Sequence, residues 1–490
     1  MNFKNNLKIM GSVFKMEAAL MLLPMIVALI YQEPFRNVIA FAIPAICLFV
    51  AGLFARRIQP DNREIAPRDA FFIVTVAWFL MSLVGALPFV INGDIPNYID
   101  AFFETSSGFS TTGASILNNI EALQHSSLFW RSFTHWIGGM GILVFILAIM
   151  PKDDNGDGST MYVLRAESPG PQVGKLVSKM RASTRILYII YMSMTVILAI
   201  LLALDPGLNV FDSLCLAFAT AGTGGFANFN AGLANVSNYV QYVLSIGMLL
   251  FGVNFTLYYL LLIKKWRQVI KSEELHVYGG IIVVAVAFIA IMLFTHVGNI
   301  YTTGESAFRT ALFQVASILT TTGFATTDFA TLWPPICQVV LVALMFIGAM
   351  AGSTGGGIKV SRFGILFKSI AARLKRQVSP RRVVTVKFED QVVSDEMGSQ
   401  VAVFFVVYLL VLFLFAFLIS FDGFDLLTNF TASLACISNI GPGLGAVGPM
   451  ANYAGFSYFS KILLSIEMIV GRLEIFPVLV LFYARVWRKY

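Results

Sequence analysis

The sequence predicts an all-α polytopic membrane protein. Hydrophobic residues fill 57% of its 490 positions and charged residues only 12%, about half the charged share of an average soluble chain. Apolar segments of about 20 residues, the length that a helix needs to cross a bilayer, recur along the chain. Four short stretches that end on glycine recur as well, 98 to 118 residues apart. That interval accommodates two spanning helices and one short helix, so we expect four hairpin repeats.

Ten apolar segments are candidate spanning helices. They lie near residues 12–32, 38–57, 70–91, 128–150, 186–204, 240–263, 277–297, 334–351, 400–421 and 459–486. The first contains Glu17 and Pro24, and no small-x-small cleavage site follows it. We therefore expect it to be a retained span and not a cleaved signal peptide.

Basic residues indicate the orientation of these spans. Clusters of Lys and Arg follow the second, fourth, sixth and eighth candidate spans and close the chain, whereas the opposite loops hold few. The positive-inside rule then places both termini in the cytoplasm and the glycine turns outside. Topology explains the net charge of +7, and we expect no nucleic-acid partner.

Four turns end the short apolar segments between paired spans, at residues 110–113, 222–225, 320–323 and 438–441. Carbonyls from four such turns around one axis can replace the hydration shell of a cation, and glycine permits the backbone angles and the close approach that this requires. A single turn of this kind could simply end a helix, but four copies in matching positions favour an ion pore. The fourth copy, with Ile440 and Pro442, departs most from the pattern. The candidate cation ligands are Thr111, Thr112, Gly113, Gly224, Gly225, Thr322, Gly323, Ile440 and Gly441.

The segment before each turn is too short to span a bilayer and predicts a re-entrant helix. Asp100 and Asp212 stand at equal distances before their turn glycines, and we expect them to be the N-caps of the first two short helices. Segments 308–319 and 424–437 are the corresponding apolar helices of the other copies. The partly negative C-terminal end of each helix would point towards a cation in the pore.

A glycine-rich stretch interrupts the eighth span. Residues 348–357 contain five glycines, each of which costs about 1 kcal/mol relative to alanine inside a helix. The stretch predicts an unwound, mobile segment across the pore, although a packing kink is an alternative. It matches neither a phosphate-binding P-loop nor a nucleophile elbow, so we expect no enzyme. The candidate gate residues are Gly352, Ser353, Thr354, Gly355, Gly356 and Gly357.

Arg472 is a charged residue inside the last span. A charge near the bilayer centre costs about 2.5–3.5 kcal/mol on insertion scales, so it must face protein or water. A structural ion pair with Glu467 or Glu474 is one interpretation. The other places the guanidinium in the pore below the turns, as part of the gate.

Four further segments carry a family resemblance. They are HWIGGMG at 135–141, GVNFTLYY at 252–259, AGSTGGGIKV at 351–360 and GRLEIF at 471–476. Together with the glycine turns, they make the chain resemble the TrkH-type potassium uptake proteins of the Trk/Ktr/HKT superfamily over nearly its whole length. The resemblance implies four M1–P–M2 pore hairpins in a pseudo-fourfold arrangement behind two N-terminal spans. It also implies an intramembrane gating loop below the filter, a homodimer with one pore in each subunit, and potassium preference when all four turns carry glycine.

The implied organisation divides the chain into five parts. Residues 1–65 form the N-terminal spans, 66–155 the first repeat, 156–272 the second, 273–396 the third with the gating loop 348–357, and 397–490 the fourth. The third part ends in a basic cytoplasmic segment, 359–396, that we expect to contact lipid headgroups. The resemblance also places the chain in the bacterial inner membrane, as a multi-pass protein with both termini cytoplasmic.

The expected function is gated, channel-like potassium uptake, with potassium as the transported ion. The chain has no Gly-x-Gly-x-x-Gly strand-turn-helix unit of the dinucleotide-binding kind, so we expect no nucleotide in it. The resemblance assigns nucleotide sensing to cytosolic NAD/ATP-binding regulatory subunits of the TrkA type. The alternative function is a proton- or sodium-coupled secondary potassium transporter. It would need carboxylates at the midplane, where only Glu467 and Glu474 are near.

Overall fold

Two N-terminal spans pack closely against each other in the computed structural model, which describes residues 2–59, 65–141, 180–381 and 384–483. Helices α1 (Phe3–Leu20) and α2 (Leu22–Ile30) form one span, and α3 (Phe35–Arg57) returns beside them. A methyl carbon on Gly52 would lie 2.7 Å from the carbonyl oxygen of Gly11. Small residues therefore allow this backbone contact, as in many membrane helix pairs.

Four units with one common pattern follow, each with a spanning helix, a short buried helix of 12 to 16 residues and a second helix. Unit 1 contains α4 (Pro67–Gly85), α5 (Leu87–Asn92), α6 (Tyr98–Phe109) and α7 (His125–Gly139). Unit 2 contains α8 (Met180–Ala203), α9 (Val210–Gly222), α10 (Asn238–Phe251) and α11 (Phe255–Leu262), followed by α12 (Trp266–Ile270). The short helices are α6 and α9 in these two units.

Unit 3 is longer because it includes an additional helix and a β-hairpin after its second hairpin helix. It contains α13 (Glu273–His296), α14 (Gly304–Leu319), α15 (Phe329–Leu332) and α16 (Pro335–Ile347), then α17 (Val360–Val378) and an antiparallel hairpin of β1 (Val386–Phe388) and β2 (Gln391–Val393). Unit 4 contains α18 (Asp395–Ile419), α19 (Leu426–Ile437), α20 (Tyr458–Arg472) and α21 (Phe476–Leu481). The all-α polytopic fold class is confirmed.

Within the described residues, the second helix of units 2, 3 and 4 is not one straight span, so several of the predicted segments are interrupted or shorter than expected. In the described residues, six helices are long and apolar enough to cross a membrane, or seven if the bent pair α10–α11 counts as one. That pair bends by 89°, α16 ends at Ile347, and α20 ends at Arg472. The predicted segments 128–150 and 459–486 run partly outside the described residues. Segments 240–263 and 334–351 are apolar enough to span, but backbone turns interrupt both.

The short helices are buried, and asparagine or threonine caps three of them. The Asn97 side chain accepts from the amide of Ile99 at 2.8 Å, and the Asn209 side chain accepts from the amide of Asp212 at 2.7 Å. Thr303 caps α14 in the same way. The prediction that Asp100 and Asp212 are N-caps is therefore wrong, because both lie in the first helical turn. There a carboxylate still favours the helix dipole.

Candidate functional site

The four glycine turns share one backbone conformation. A left-handed residue with φ between 53° and 58° comes first, and a glycine with φ between 78° and 94° follows two positions later. The left-handed residues are Thr111, Thr223, Thr321 and Asn439, and the glycines are Gly113, Gly225, Gly323 and Gly441. Between them, the amides of Thr112, Gly224, Thr322 and Ile440 each donate to the carbonyl five residues earlier, at 2.8–2.9 Å. The weaker sequence match of the fourth turn does not change this geometry.

The turns meet in a closed ring. A methyl carbon placed on each glycine would lie 1.9 to 2.6 Å from a carbonyl oxygen of the next turn, much closer than any real contact. These contacts join Gly113 to Gly224, Gly225 to Thr322, Gly323 to Ile440, and Gly441 back to Thr112. The absence of a side chain therefore lets four backbones converge on one axis. All of the predicted cation ligands lie in this ring.

Side chains tie neighbouring parts of the ring together. The hydroxyl groups of Thr112 and Ser110 are hydrogen-bonded at 2.7 Å. Thr112 Oγ1 also accepts from the side-chain Nδ2 of Asn439 at 3.0 Å. The same Nδ2 atom of Asn439 donates to the carbonyl of Met468 at 2.8 Å. Asn439 occupies the position of threonine in the other turns, and asparagine tolerates left-handed backbone angles. It was not among the predicted ligands, although its place in the repeat could have indicated it.

A vestibule of about 160 Å³ opens on one side of the ring, lined by all four turn glycines and by residues that follow them. On the other side lies a smaller cavity of about 80 Å³. Its lining includes Gly355, Gly356 and Gly357 of the glycine-rich loop, together with Arg472. The ring therefore separates two cavities.

The glycine-rich loop packs directly against turns 3 and 4. The amide of Gly356 donates to Thr321 Oγ1 at 2.6 Å. A methyl carbon on Gly356 would lie 2.4 Å from the carbonyl oxygen of Ser438, and one on Gly355 would lie 2.9 Å from that of Thr320. The two glycines thus allow the loop to approach the inner side of the ring more closely than any other residue type would.

The loop also pairs with the break in the second helix of unit 2. The amide of Met350 donates to the carbonyl of Gly252 at 3.1 Å, and the amide of Phe255 donates to the carbonyl of Gly352 at 3.0 Å. Asn254 caps α11 by accepting from the amide of Thr256 at 2.9 Å. Two interrupted helices therefore satisfy each other's backbone groups, which makes irregular backbone tolerable at membrane depth.

The buried carboxylate of Glu274 contacts both the glycine-rich loop and the start of the helix that follows it. Glu274 Oε1 accepts from the amide of Ala351 at 2.8 Å and from that of Ser361 at 3.1 Å. The amide of Glu274 donates in turn to Glu389 in the β1–β2 hairpin, at 2.8 Å. A chain of contacts thus joins the β1–β2 hairpin to the loop. Sequence reasoning missed Glu274, because its contacts come from residues far along the chain.

Arg472 reaches across the inner cavity. Its guanidinium donates to the carbonyl oxygens of Gly138 at 2.5 Å and Gly139 at 2.6 Å in unit 1, and to that of Thr354 at 2.8 Å in the loop. Of the two glutamates considered as its partners, Glu474 forms an ion pair with Arg362 and Glu467 accepts from Ser433 at 2.5 Å. Arg472 therefore links three units below the ring, close to the predicted gate residues.

Comparisons with known proteins agree with this architecture. Residues 35–489 match the TrkH family, described as "Cation transport protein". The Trk system potassium uptake protein TrkH of Salmonella typhimurium and that of Escherichia coli are each 34% identical over 494 aligned residues, with all of both chains covered. The Trk system potassium uptake protein TrkG of Escherichia coli is 34% identical and covers 96% of this chain and 95% of its own.

A solved structure extends the similarity to three dimensions. The crystal structure of the potassium transporter TrkH from Vibrio parahaemolyticus superposes with a TM-score of 0.88 at 32% identity, covering 100% of both chains. The predicted resemblance is confirmed, and the relatives are named as transport proteins and not as enzymes. The chain belongs to the TrkH family of cation transport proteins.

Proposed function

We propose that the chain is a gated, channel-like potassium uptake protein with the pore inside each subunit. The observation that carries the proposal is the closed ring of four turns, each glycine lying against a carbonyl of the next turn. The similar proteins are named potassium uptake proteins, and this chain matches them over its full length. The ring would be the selectivity filter through which potassium crosses the membrane.

In this mechanism the ring replaces the water around the ion. The backbone oxygens of Thr111, Thr112, Gly113, Gly224, Gly225, Thr322, Gly323, Ile440 and Gly441 are the proposed ligands. Helices α6, α9, α14 and α19 end at the ring, so the partly negative ends of four helices would stabilise a dehydrated cation. Each turn supplies one glycine and not a longer filter strand, which favours few binding sites and moderate discrimination among ions.

The gate, in this proposal, is formed by Arg472 and the loop residues from Gly352 to Gly357, with Ser353, Thr354, Gly355 and Gly356 between them. The guanidinium places a positive charge below the filter, and the loop covers the inner side of turns 3 and 4. A passing cation would meet both a steric and an electrostatic barrier. Conduction then requires the loop to move away from Thr321 and Arg472.

Assembly and topology belong to the same proposal. We place both termini in the cytoplasm of a bacterial cell, with the chain in the inner membrane and the vestibule outside. We further propose a homodimer and cytosolic nucleotide-binding regulatory subunits of the TrkA type. Support comes from the relatives' designation as proteins of a Trk system and from the basic helix α17, whose Arg373, Lys375 and Arg376 also suit anionic lipid headgroups. The proposed unit boundaries remain 66–155, 156–272, 273–396 and 397–490.

Flux into liposomes tests the proposed function. Purified chain should pass potassium and rubidium in preference to sodium, as a saturable current without a fixed proton or sodium stoichiometry. Replacement Gly113→Ser should raise sodium permeation relative to potassium, because a side chain on Gly113 would meet the carbonyl oxygen of Gly224 at 2.1 Å and displace it. Equal permeation of both ions by the unmodified chain would refute the filter, and a fixed proton stoichiometry would favour the coupled transporter.

A further inference from the structure

We propose that the buried ion pair of Glu104 and Arg131 positions the outer side of the filter ring and thereby contributes to ion discrimination. The proposal rests on the proposed filter and adds residues that lie outside the ring itself. Glu104 lies in the short helix α6, and Arg131 lies in α7 of the same unit. Neither residue belongs to the turn or the gate.

The pair is dry and well aligned. Arg131 Nε donates to Glu104 Oε1 at 2.8 Å, and the exposed fractions of the two side chains are 1% and 0%. Charges removed from water interact strongly, and loss of one partner leaves the other without compensation. The pair can therefore hold the groups around it in fixed positions.

Glu104 holds the segment that follows turn 1. Its carboxylate accepts from Ser115 Oγ at 2.9 and 3.1 Å and from the amide of Ile116 at 3.0 Å. Ser115 stands two residues after Gly113, so the carboxylate fixes the exit of the first turn. The carbonyl of Ser115 also accepts from the amide of Tyr453 at 2.8 Å, and the Tyr453 hydroxyl donates to the carbonyl of Gly441 at 2.7 Å.

Arg131 holds the segment that follows turn 2. Its guanidinium lies 4.1 Å from the centre of the Phe226 ring and donates to the carbonyl of Ala227 at 3.4 Å. Phe226 is the residue directly after Gly225. One ion pair thus spans the exits of two adjacent turns and, through Tyr453, reaches the fourth.

The other units do not repeat this charge. The position nine residues before the turn glycine holds Glu104 in unit 1, Leu216 in unit 2, Gln314 in unit 3 and Ala432 in unit 4. Gln314 forms a comparable but neutral contact within its own unit, donating to Thr326 Oγ1 at 3.2 Å. Apolar side chains therefore occupy this position in units 2 and 4. The charged residue, Glu104, occurs in the unit whose ion pair contacts the segments after two adjacent turns. This asymmetry separates the pair from a general requirement of the fold.

Glu104→Gln tests the proposal, because it keeps an oxygen acceptor while it removes the charge that compensates Arg131. We expect the sodium-to-potassium permeability ratio in liposomes to rise by about 3- to 10-fold, the change that about 0.7–1.4 kcal/mol of lost discrimination produces. The matched control is Glu305→Gln, which removes an ion pair with Arg309 at the exposed start of α14, where the glutamate is 52% exposed. The control should keep the wild-type ratio.

A second variant covers the case in which Glu104→Gln fails to fold. Ser115→Ala leaves the ion pair intact and removes one of its contacts to the exit of turn 1, so a smaller rise of about twofold is expected. A wild-type ratio in a folded, conducting Glu104→Gln protein would overturn the proposal, as would a wild-type ratio in Ser115→Ala when Glu104→Gln cannot be purified. Failure of the filter itself is distinguishable, because the unmodified chain would then already lack potassium preference.

Discussion

The outer ring and the inner half of the molecule differ in symmetry. Four turns from distant parts of the chain adopt the same backbone angles and the same hydrogen bond, although one of them carries Asn439 and Ile440 where the first carries threonines. Below the ring, by contrast, the second helices of units 2, 3 and 4 are interrupted in different ways. Unit 2 bends by 89°, unit 3 has a glycine-rich loop, and unit 4 turns at Glu474 and Ile475, both with positive φ.

This difference indicates what each region must do. A single ion on an axis needs oxygens at similar distances on all sides, so the ring must be nearly symmetric. A gate needs one element that can move without disturbing the other three. In the proposed mechanism the glycine-rich loop of unit 3 would be that element, since Glu274, Thr321 and Arg472 each contact it through only a few hydrogen bonds.

The largest expected effect is the loss of the ring through Gly323→Ala. The added methyl carbon would lie 1.9 Å from the carbonyl oxygen of Ile440, and φ at this position is 85°, so both the contact and the backbone would be strained. We expect potassium uptake to fall by about 100-fold, equivalent to about 2.7 kcal/mol. Rubidium flux into liposomes measures it. Gly304→Ala, at the start of α14 with open space around it, is the matched control and should conduct normally.

A middle-sized effect of opposite sign is expected for Arg472→Ala. The substitution removes the positive charge and its contacts to Gly138, Gly139 and Thr354, so the closed state loses both its electrostatic barrier and a fastening of the loop. Basal potassium flux without any partner should rise by about tenfold, or about 1.4 kcal/mol. Arg472→Lys, which keeps the charge but not the three-way hydrogen bonding, should rise less. Unchanged flux in both variants would contradict the gating role.

The smallest expected effect is that of Glu274→Gln. A neutral amide oxygen still accepts from Ala351 and Ser361, but charge-assisted hydrogen bonds are roughly twice as strong as neutral ones. Basal flux should therefore rise by about two- to fourfold. Glu273→Gln is the control. Glu273 is the neighbour of Glu274 in sequence, but its carboxylate pairs with Lys368 instead of the loop. An identical response of both variants would show that Glu274 has no particular hold on the loop.

Much of the architecture could be predicted because its signals are local. Apolar length, basic clusters and four recurring glycines are visible in the sequence, and the fold class and family that they predicted are confirmed. The roles of the ring, the loop and Arg472 in conduction remain predictions. The N-cap assignment failed because aspartate, asparagine and threonine are nearly equivalent as caps, and only the path of the chain selected Asn97 and Asn209.

The interrupted helices show where local signals end. Segment 459–486 contains no glycine run, yet its helix ends at Arg472, and the next residues are held by the pair of Glu474 with Arg362 from another unit. The bend near Asn254 likewise depends on backbone groups supplied by Met350 and Gly352. Neither partner is near in sequence, so no window of residues could reveal them.

The sequence by itself determined the membrane setting, the fourfold repetition and the places where a backbone without side chains is needed. These follow from hydropathy and from the stereochemistry of glycine, which act over a few residues. Only the tertiary structure decided which carbonyl faces which glycine, which carboxylate contacts the loop and which arginine lies below the ring against Gly138 and Gly139. Those contacts join residues as many as 334 positions apart, as between Arg472 and Gly138, and depend on how four units close around one axis.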